Sequence, residues 1–208
     1  MSLTKSYKTP TLFDLVGKSA LSREANSPTR TDRISNPGLK PELAVGIDLA
    51  VERYLAGGGV LSANVFRRNI SDLIRYATAF NQSTGKWVST PLNVGDAVTQ
   101  GLELEAKFRL DQVWAEALPI DIRSNVSFFR SKVKDVPGPD NRLDQQPNMT
   151  ANLGADYRLR GIPLTVGGNV NWNPDYDTRR SQEQLSYQGV KRVLDVYGLW
   201  RFSGVTAL

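Results

Sequence analysis

The chain contains neither cysteine nor histidine. Without cysteine there is no disulfide framework and no thiolate metal site, while the redox compartment stays open. Without histidine there is no His-based triad and no His-ligated zinc or haem. No run of about eighteen apolar residues exists, so no segment reads as a transmembrane helix. The opening MSLTKSYKTP has neither an apolar stretch nor a small-residue cleavage site, and is not a signal peptide. Gly57, Gly58 and Gly59 are not followed by Lys-Ser/Thr, so they mark a turn and not a phosphate loop. No carboxylate pair must converge, and the sequence predicts no catalytic residue, no metal ligand and no cofactor.

What the chain does have is alternation. From Val98, the apolar Leu102, Leu104, Ala106, Phe108 and Leu110 alternate with Thr99, Gly101, Glu103, Glu105, Lys107 and Arg109. Successive side chains of an extended strand point to opposite sides, so this is a strand with one oily and one wet face. Its length is about that of a tilted strand crossing a bilayer. Similar segments are read at 43–55, 60–75, 120–133, 148–159, 164–172 and 192–202, with a strand end at 4–8. Short links follow Leu55, Leu110, Leu159 and Ser203. Long ones occupy 9–42, 76–96, 134–147 and 173–191, with a helical turn around Leu12–Val16. In an antiparallel sheet this rhythm gathers the short turns at one end and the long loops at the other. The expectation is an all-β, antiparallel, up-and-down transmembrane barrel segment. The net charge of +5 favours anions, but no basic strand face carries stacking aromatics, so nucleic acid is not expected.

Four segments resemble those of TonB-dependent outer-membrane receptors. Tyr7-Lys8-Thr9-Pro10-Thr11-Leu12-Phe13-Asp14-Leu15 resembles their YKAPTLxxL segment, and Asn36-Pro37-Gly38-Leu39-Lys40-Pro41-Glu42 their NPxLKPE segment. Leu61 to Phe66 with Ile70 to Ile74 looks like one family strand, and Asn93-Val94-Gly95 with Gln100 to Glu105 like another. The resemblance implies a barrel of about 22 strands closed by a plug. Its implied role is uptake of scarce ligands, ferric siderophores first among them, across the bacterial outer membrane under TonB drive. This chain would supply seven to eight strands of one barrel domain over 1–208. The plug, the TonB box and the C-terminal strand are expected elsewhere, with plug and TonB complex as partners. The alternative is a soluble antiparallel β module that binds a ligand or carbohydrate.

Arg30, Arg33, Arg179 and Arg180 fall in the expected outside loops with Tyr76, Trp87, Tyr176 and Tyr187. Arg forks and ring faces suit an anionic, partly aromatic ferric chelate. The same residues also fit solvated loop charge or contact with lipopolysaccharide phosphates. Glu103, Glu105, Lys107 and Arg109 are expected on a polar lumen wall. Trp172, Trp200, Phe202, Phe108 and Tyr54 fit either an aromatic girdle against outer-membrane lipid or plain packing.

Overall fold

The computed structural model describes residues 1–17, 19–181 and 184–202. Strand β1 (Ser2–Lys8) leads to a one-turn helix α1 (Leu12–Leu15) and a two-residue strand β2 (Asp32–Arg33). Then come β3 (Glu42–Tyr54) and β4 (Val60–Ser71), followed by β5 (Ile74–Asn81) and β6 (Lys86–Asn93). After β7 (Ala97–Arg109), a 3-10 turn (Leu110–Gln112) leads into β8 (Ile120–Val133). The rest is β9 (Met149–Arg158), β10 (Leu164–Asn173), β11 (Tyr176–Arg179), β12 (Leu185–Gln188) and β13 (Lys191–Trp200).

Eight strands form one sheet in the order β1-β3-β4-β7-β8-β9-β10-β13, every neighbour antiparallel. The two edges, β1 and β13, are not paired with each other, so the sheet stays open. A strand of the 13 residues in β7 reaches about 43 Å at about 3.3 Å per residue. Tilted by about 45°, it would cover about 30 Å, the thickness of a bilayer's hydrocarbon.

Register separates the two faces. Leu104 lies opposite Ala63 and Val126, and Leu102 opposite Val65 and Phe128. One residue away, Glu103 lies between Asn64 and Ser127, and Glu105 between Ser62 and Asn125. A slip of one residue would exchange the faces along a whole strand, so the alternation itself pins the pairing. Among the described residues nothing packs on the aliphatic face: Val51 is 73% exposed, Leu194 68% and Val196 77%. Burial is concentrated at one rim, where Leu73, Ala97, Val133 and Val136 pack with Ile70, Val94 and Leu143. On the polar face Phe66 lies over Gly101, where an added Cβ would sit 2.6 Å from the Phe66 ring and 2.7 Å from the Phe128 carbonyl. Only glycine leaves room for the ring at that crossing.

The short connections 55–59, 110–119 and 159–163 lie at one end of the sheet, and the long segments at the other. Two of those long segments are not the irregular loops expected from sequence. The strand expected to run through Arg75 breaks at Asp72, whose φ is 55°, and β5 and β6 then form a hairpin in a second sheet ordered β2-β6-β5. Pro91 and the polar Lys86, Ser89 and Thr90 masked β6, because the loop reading counted turn-forming residues without their pairing partner. The segment 173–191 likewise holds the hairpin β11–β12. Tyr54 is a further correction. It pairs with Val60 on the polar face and donates to Glu52 at 2.8 Å, so it is no part of an apolar-side girdle. Trp172, Phe108 and Trp200 do lie in the apolar rows. The expected turn after Ser203 and the strand beginning beyond it lie outside the described residues.

Candidate functional site

The long segments close over the sheet's rim through side chains that cap backbone. Asn36 donates to the Pro91 carbonyl at 3.1 Å, and Gly38 N–H donates to the Asn36 side-chain oxygen at 3.0 Å. Asn93 accepts from Lys40 N–H at 2.9 Å and donates to the Lys40 and Asp72 carbonyls at 3.0 and 2.7 Å. Glu42 accepts from Ile74 N–H at 2.7 Å and from Lys8 at 3.1 Å. The Asn-Pro-Gly-Leu-Lys-Pro-Glu stretch and Asn93 thus weld the first long segment to the β5–β6 hairpin at the top of β3. The Pro91, Lys40 and Asp72 carbonyls and the Gly38, Lys40 and Ile74 amides all find side-chain partners in this way, as a partly buried junction requires.

Two clusters sit on this frame. In the first, Thr11 caps α1 and Asp14 closes its capping box, accepting hydrogen bonds from Thr11 Oγ at 2.7 Å and from the Tyr76 hydroxyl. The Arg33 guanidinium lies 4.3 Å from the Tyr76 ring centre and 5.5 Å from that of Phe13, a cation held by two aromatic faces. Burial pushes the Asp14 carboxyl up, but the Tyr76 and Thr11 hydrogen bonds and the Arg33 charge outweigh it and hold the group below its ordinary value. Tyr76 moves upward, from burial first and then from its bond to Asp14. Beside this cluster Trp87 stacks edge-on to Phe80 at 5.4 Å, and its backbone exchanges two hydrogen bonds with the Asn26 side chain.

In the second cluster Arg75, only 4% exposed, joins three segments. Its guanidinium reaches Asp144 at 3.0 Å and donates to the Arg142 and Arg179 carbonyls. Burial lowers its affinity for the proton, while Asp144 supports the charged form. Arg180 lies 3.7 Å from the same Asp144 carboxylate. Arg142 pairs with Asp140 at 2.9 Å and sits 5.8 Å from the Tyr176 ring centre. Arg179 donates to the Asp140 and Pro139 carbonyls, at 2.7 Å from its backbone and 3.4 Å from its side chain. A cavity of about 530 Å³ opens here between the top of β8 and the segment 138–148, and Arg142 and Gln146 line it.

Among the sequence-predicted residues, Arg33, Tyr76 and Trp87 therefore fall beside one cluster, and Tyr176, Arg179 and Arg180 beside the other. Arg30 pairs with Glu24 within its own segment, and Tyr187 donates to Asp175 at 3.4 Å within its own hairpin. Neither joins a cluster. Sequence reasoning missed Arg75, Arg142, Asp14 and Asp144. Arg75 was read as a strand residue, and no local signal reveals that a guanidinium will be buried by segments 67 and 104 residues away. Glu103, Glu105, Lys107 and Arg109 share the polar face, where Glu103 accepts from Asn64 at 3.0 Å, Lys107 pairs with Glu105 and Arg109 with Asp111 at 2.6 Å.

An open sheet of long antiparallel strands, unpartnered aliphatics on one side and polar side chains on the other, is the wall of a membrane-spanning β-barrel. The family described as TonB dependent receptor-like, beta-barrel, matches residues 1–206, and the chain belongs to that family of the bacterial outer membrane. Among solved structures it is similar to the siderophore receptor PirA from Acinetobacter baumannii, with 18% identity and a TM-score of 0.67 over 97% of this chain and 32% of that one. An enterobactin-bound mutant of the ferric enterobactin receptor PfeA from Pseudomonas aeruginosa gives 19% identity and a TM-score of 0.64, over 97% and 30%. The copper transporter OprC gives 16% and 0.69, over 97% and 29%. The chain thus spans about a third of the length of the receptors it matches, and at these identities the likeness is one of fold.

Proposed function

We propose that this chain is part of the barrel domain of an outer-membrane transporter whose outside loops capture an anionic ferric chelate of the siderophore class. The observation that carries the proposal is the convergence of Arg75, Arg142, Arg179 and Arg180 with Tyr176 above the polar face, beside a cavity of about 530 Å³. Guanidinium forks and ring faces match the carboxylate, hydroxamate or catecholate oxygens and the flat rings that such chelates present. A bare soft cation fits less well, because the chain offers no His or Cys in these loops. In this reading the polar face, with Glu103, Glu105, Lys107 and Arg109, lines the lumen and meets a plug that moves under TonB drive.

The test is Arg179→Ala with Arg180→Ala in the intact receptor, read by equilibrium binding and uptake of ferric siderophores. Loss of two charge-assisted contacts should weaken capture by about tenfold or more. Unchanged affinity and uptake would remove these residues from the site.

A further inference from the structure

Sorting the charged residues of the eight-stranded sheet by face gives an uneven result. Asp48, Glu52, Glu103, Glu105, Asp121, Asp156 and Asp195 all lie in the polar rows. The apolar rows contain no Asp or Glu among the described residues; their only charges are Lys5, Arg53, Arg67, Arg130, Lys132 and Arg192. Arg53 lies toward the short-turn end. The other five lie toward the end that carries the long segments.

Three of the five stand together. The row Ile47–Arg67–Gln100–Arg130 crosses four adjacent strands, and the next row outward reads Lys5–Val45–Asn69–Val98–Lys132. Arg67, Arg130 and Lys132 are exposed, and none of them makes an ion pair among the described residues. Among the described residues Arg67 donates only to Gln100, at 3.3 Å. Lys134 continues the line but is matched by Asp96 at 3.1 Å. A depression of about 350 Å³ lies among Arg67, Gln100, Arg130, Lys132 and Lys134. Arg67, Gln100 and Arg130 also border a second depression of about 480 Å³, whose floor is Ile47, Leu49, Val65, Leu102 and Phe128. The cationic recess therefore opens directly onto an aliphatic trough on the same face.

We propose that this is a binding site for a phosphorylated lipid of the outer leaflet, lipopolysaccharide in a bacterial outer membrane. Its headgroup phosphates would sit among Arg67, Arg130 and Lys132, and its acyl chains along Leu49, Val65, Leu102 and Phe128. The inference rests on the membrane orientation of the preceding reading, but not on the identity of the transported ligand. Charge complementarity selects this occupant: a cation cluster without acids, placed where the aliphatic band ends, meets anionic headgroups and not hydrocarbon. Gln100 between the two arginines adds a neutral donor for a phosphate or sugar oxygen. A second protein chain would need matching acids and a complementary apolar surface, whereas a lipid supplies both chemistries in one molecule.

The test uses the full-length receptor in detergent, with lipid binding read by native mass spectrometry. The probes are bisphosphorylated lipid A, its dephosphorylated form and inorganic phosphate. Lipid A should bind the wild type, the dephosphorylated form should bind much more weakly, and millimolar inorganic phosphate should not displace the lipid. Arg67→Gln with Arg130→Gln and Lys132→Gln should weaken lipid A binding by on the order of a hundredfold, at about fivefold per cation. The polar-face control Lys107→Gln should leave it unchanged. If the triple variant loses the heat-resistant migration of a folded barrel, Arg130→Gln alone is the readout, with about a fivefold loss expected. Equal retention by the folded variant and the wild type, or equal binding of the dephosphorylated lipid, would overturn the assignment. Siderophore binding, measured on Arg67→Gln, should not move, because Arg130 and Lys132 border the cavity of about 530 Å³ beside the arginine cluster and Arg67 does not; a failure of chelate capture in the wild type would count against the transport reading alone.

Discussion

At the scale of single residues, the outside of this molecule is held by buried polar groups with many partners. Asp14 is the clearest case, since one carboxylate closes a helix's capping box, accepts from Tyr76 and faces Arg33. Its folded-state value lies below the ordinary 3.8, so its stabilisation is complete above that pH and is lost as pH falls through the lower folded value. Tyr76 is displaced upward from 10.0, so its share is complete below pH 10.0 and is lost as pH rises through the higher folded value. The near-UV circular dichroism of the receptor should accordingly hold steady between about pH 4 and 10 and change outside that window. Tyr76→Phe should cost about 1.5–3 kcal/mol locally, the worth of a hydrogen bond to a charged group. Faster hydrogen exchange at the Asp14 and Val16 amides, with the sheet's protection intact, is the expected result. Of this cluster, Tyr76 and Arg33 were legible in the sequence as loop residues with recognition chemistry. Their mutual stacking was not, because it depends on the path of a segment forty residues long.

At the scale of elements, β7 ties the sheet together. Its two faces have opposite tolerances, because one meets hydrocarbon and the other a polar lumen in the membrane reading. Leu104→Arg should destabilise the folded receptor by about 2–4 kcal/mol if that position is near the bilayer midplane, whereas Glu105→Arg, one residue on, should cost less than about 1 kcal/mol. Urea titration of the receptor refolded into lipid vesicles compares the two directly. Equal costs would mean that the faces are not divided between lipid and lumen. The strands β3, β7, β8, β9 and β10 were readable to within a residue or so, since strict alternation leaves one register that segregates polarity. The hairpins β5–β6 and β11–β12 were not. β5 and β6 are half-buried and β12 is exposed throughout, and neither hairpin carries a clean alternation, so composition alone reads them as irregular.

At the scale of the whole molecule, the sheet combines a nearly bare aliphatic side with two unpaired edges. Such a surface is unstable in water, where large apolar patches and free strand edges lead to association. Circular dichroism of the 208-residue chain should therefore show ordered strand signal in detergent micelles and aggregation in plain buffer. A cooperative soluble β-fold without detergent would instead favour the soluble ligand-binding module, whose aliphatic side would have to pack on protein. The exposure of Val51, Leu194 and Val196 argues against that module, since a soluble sandwich buries such residues against a second sheet.

The sequence by itself determined the class of structure: alternation of period two set the strands and their faces, and the spacing of turn residues set which connections are short. Both are local, and local physics suffices for them. It also supplied the Asn-Pro-Gly-Leu-Lys-Pro-Glu resemblance, though not the work those residues do at the rim. Only the tertiary structure decided which cations meet. Arg75 is buried by segments 67 to 104 positions away, and Arg67 and Arg130 are neighbours solely because Gln100 lies between them in the register of β4, β7 and β8. Such encounters follow from pairing across the sheet, and pairing partners distant in the chain leave no mark on either strand alone.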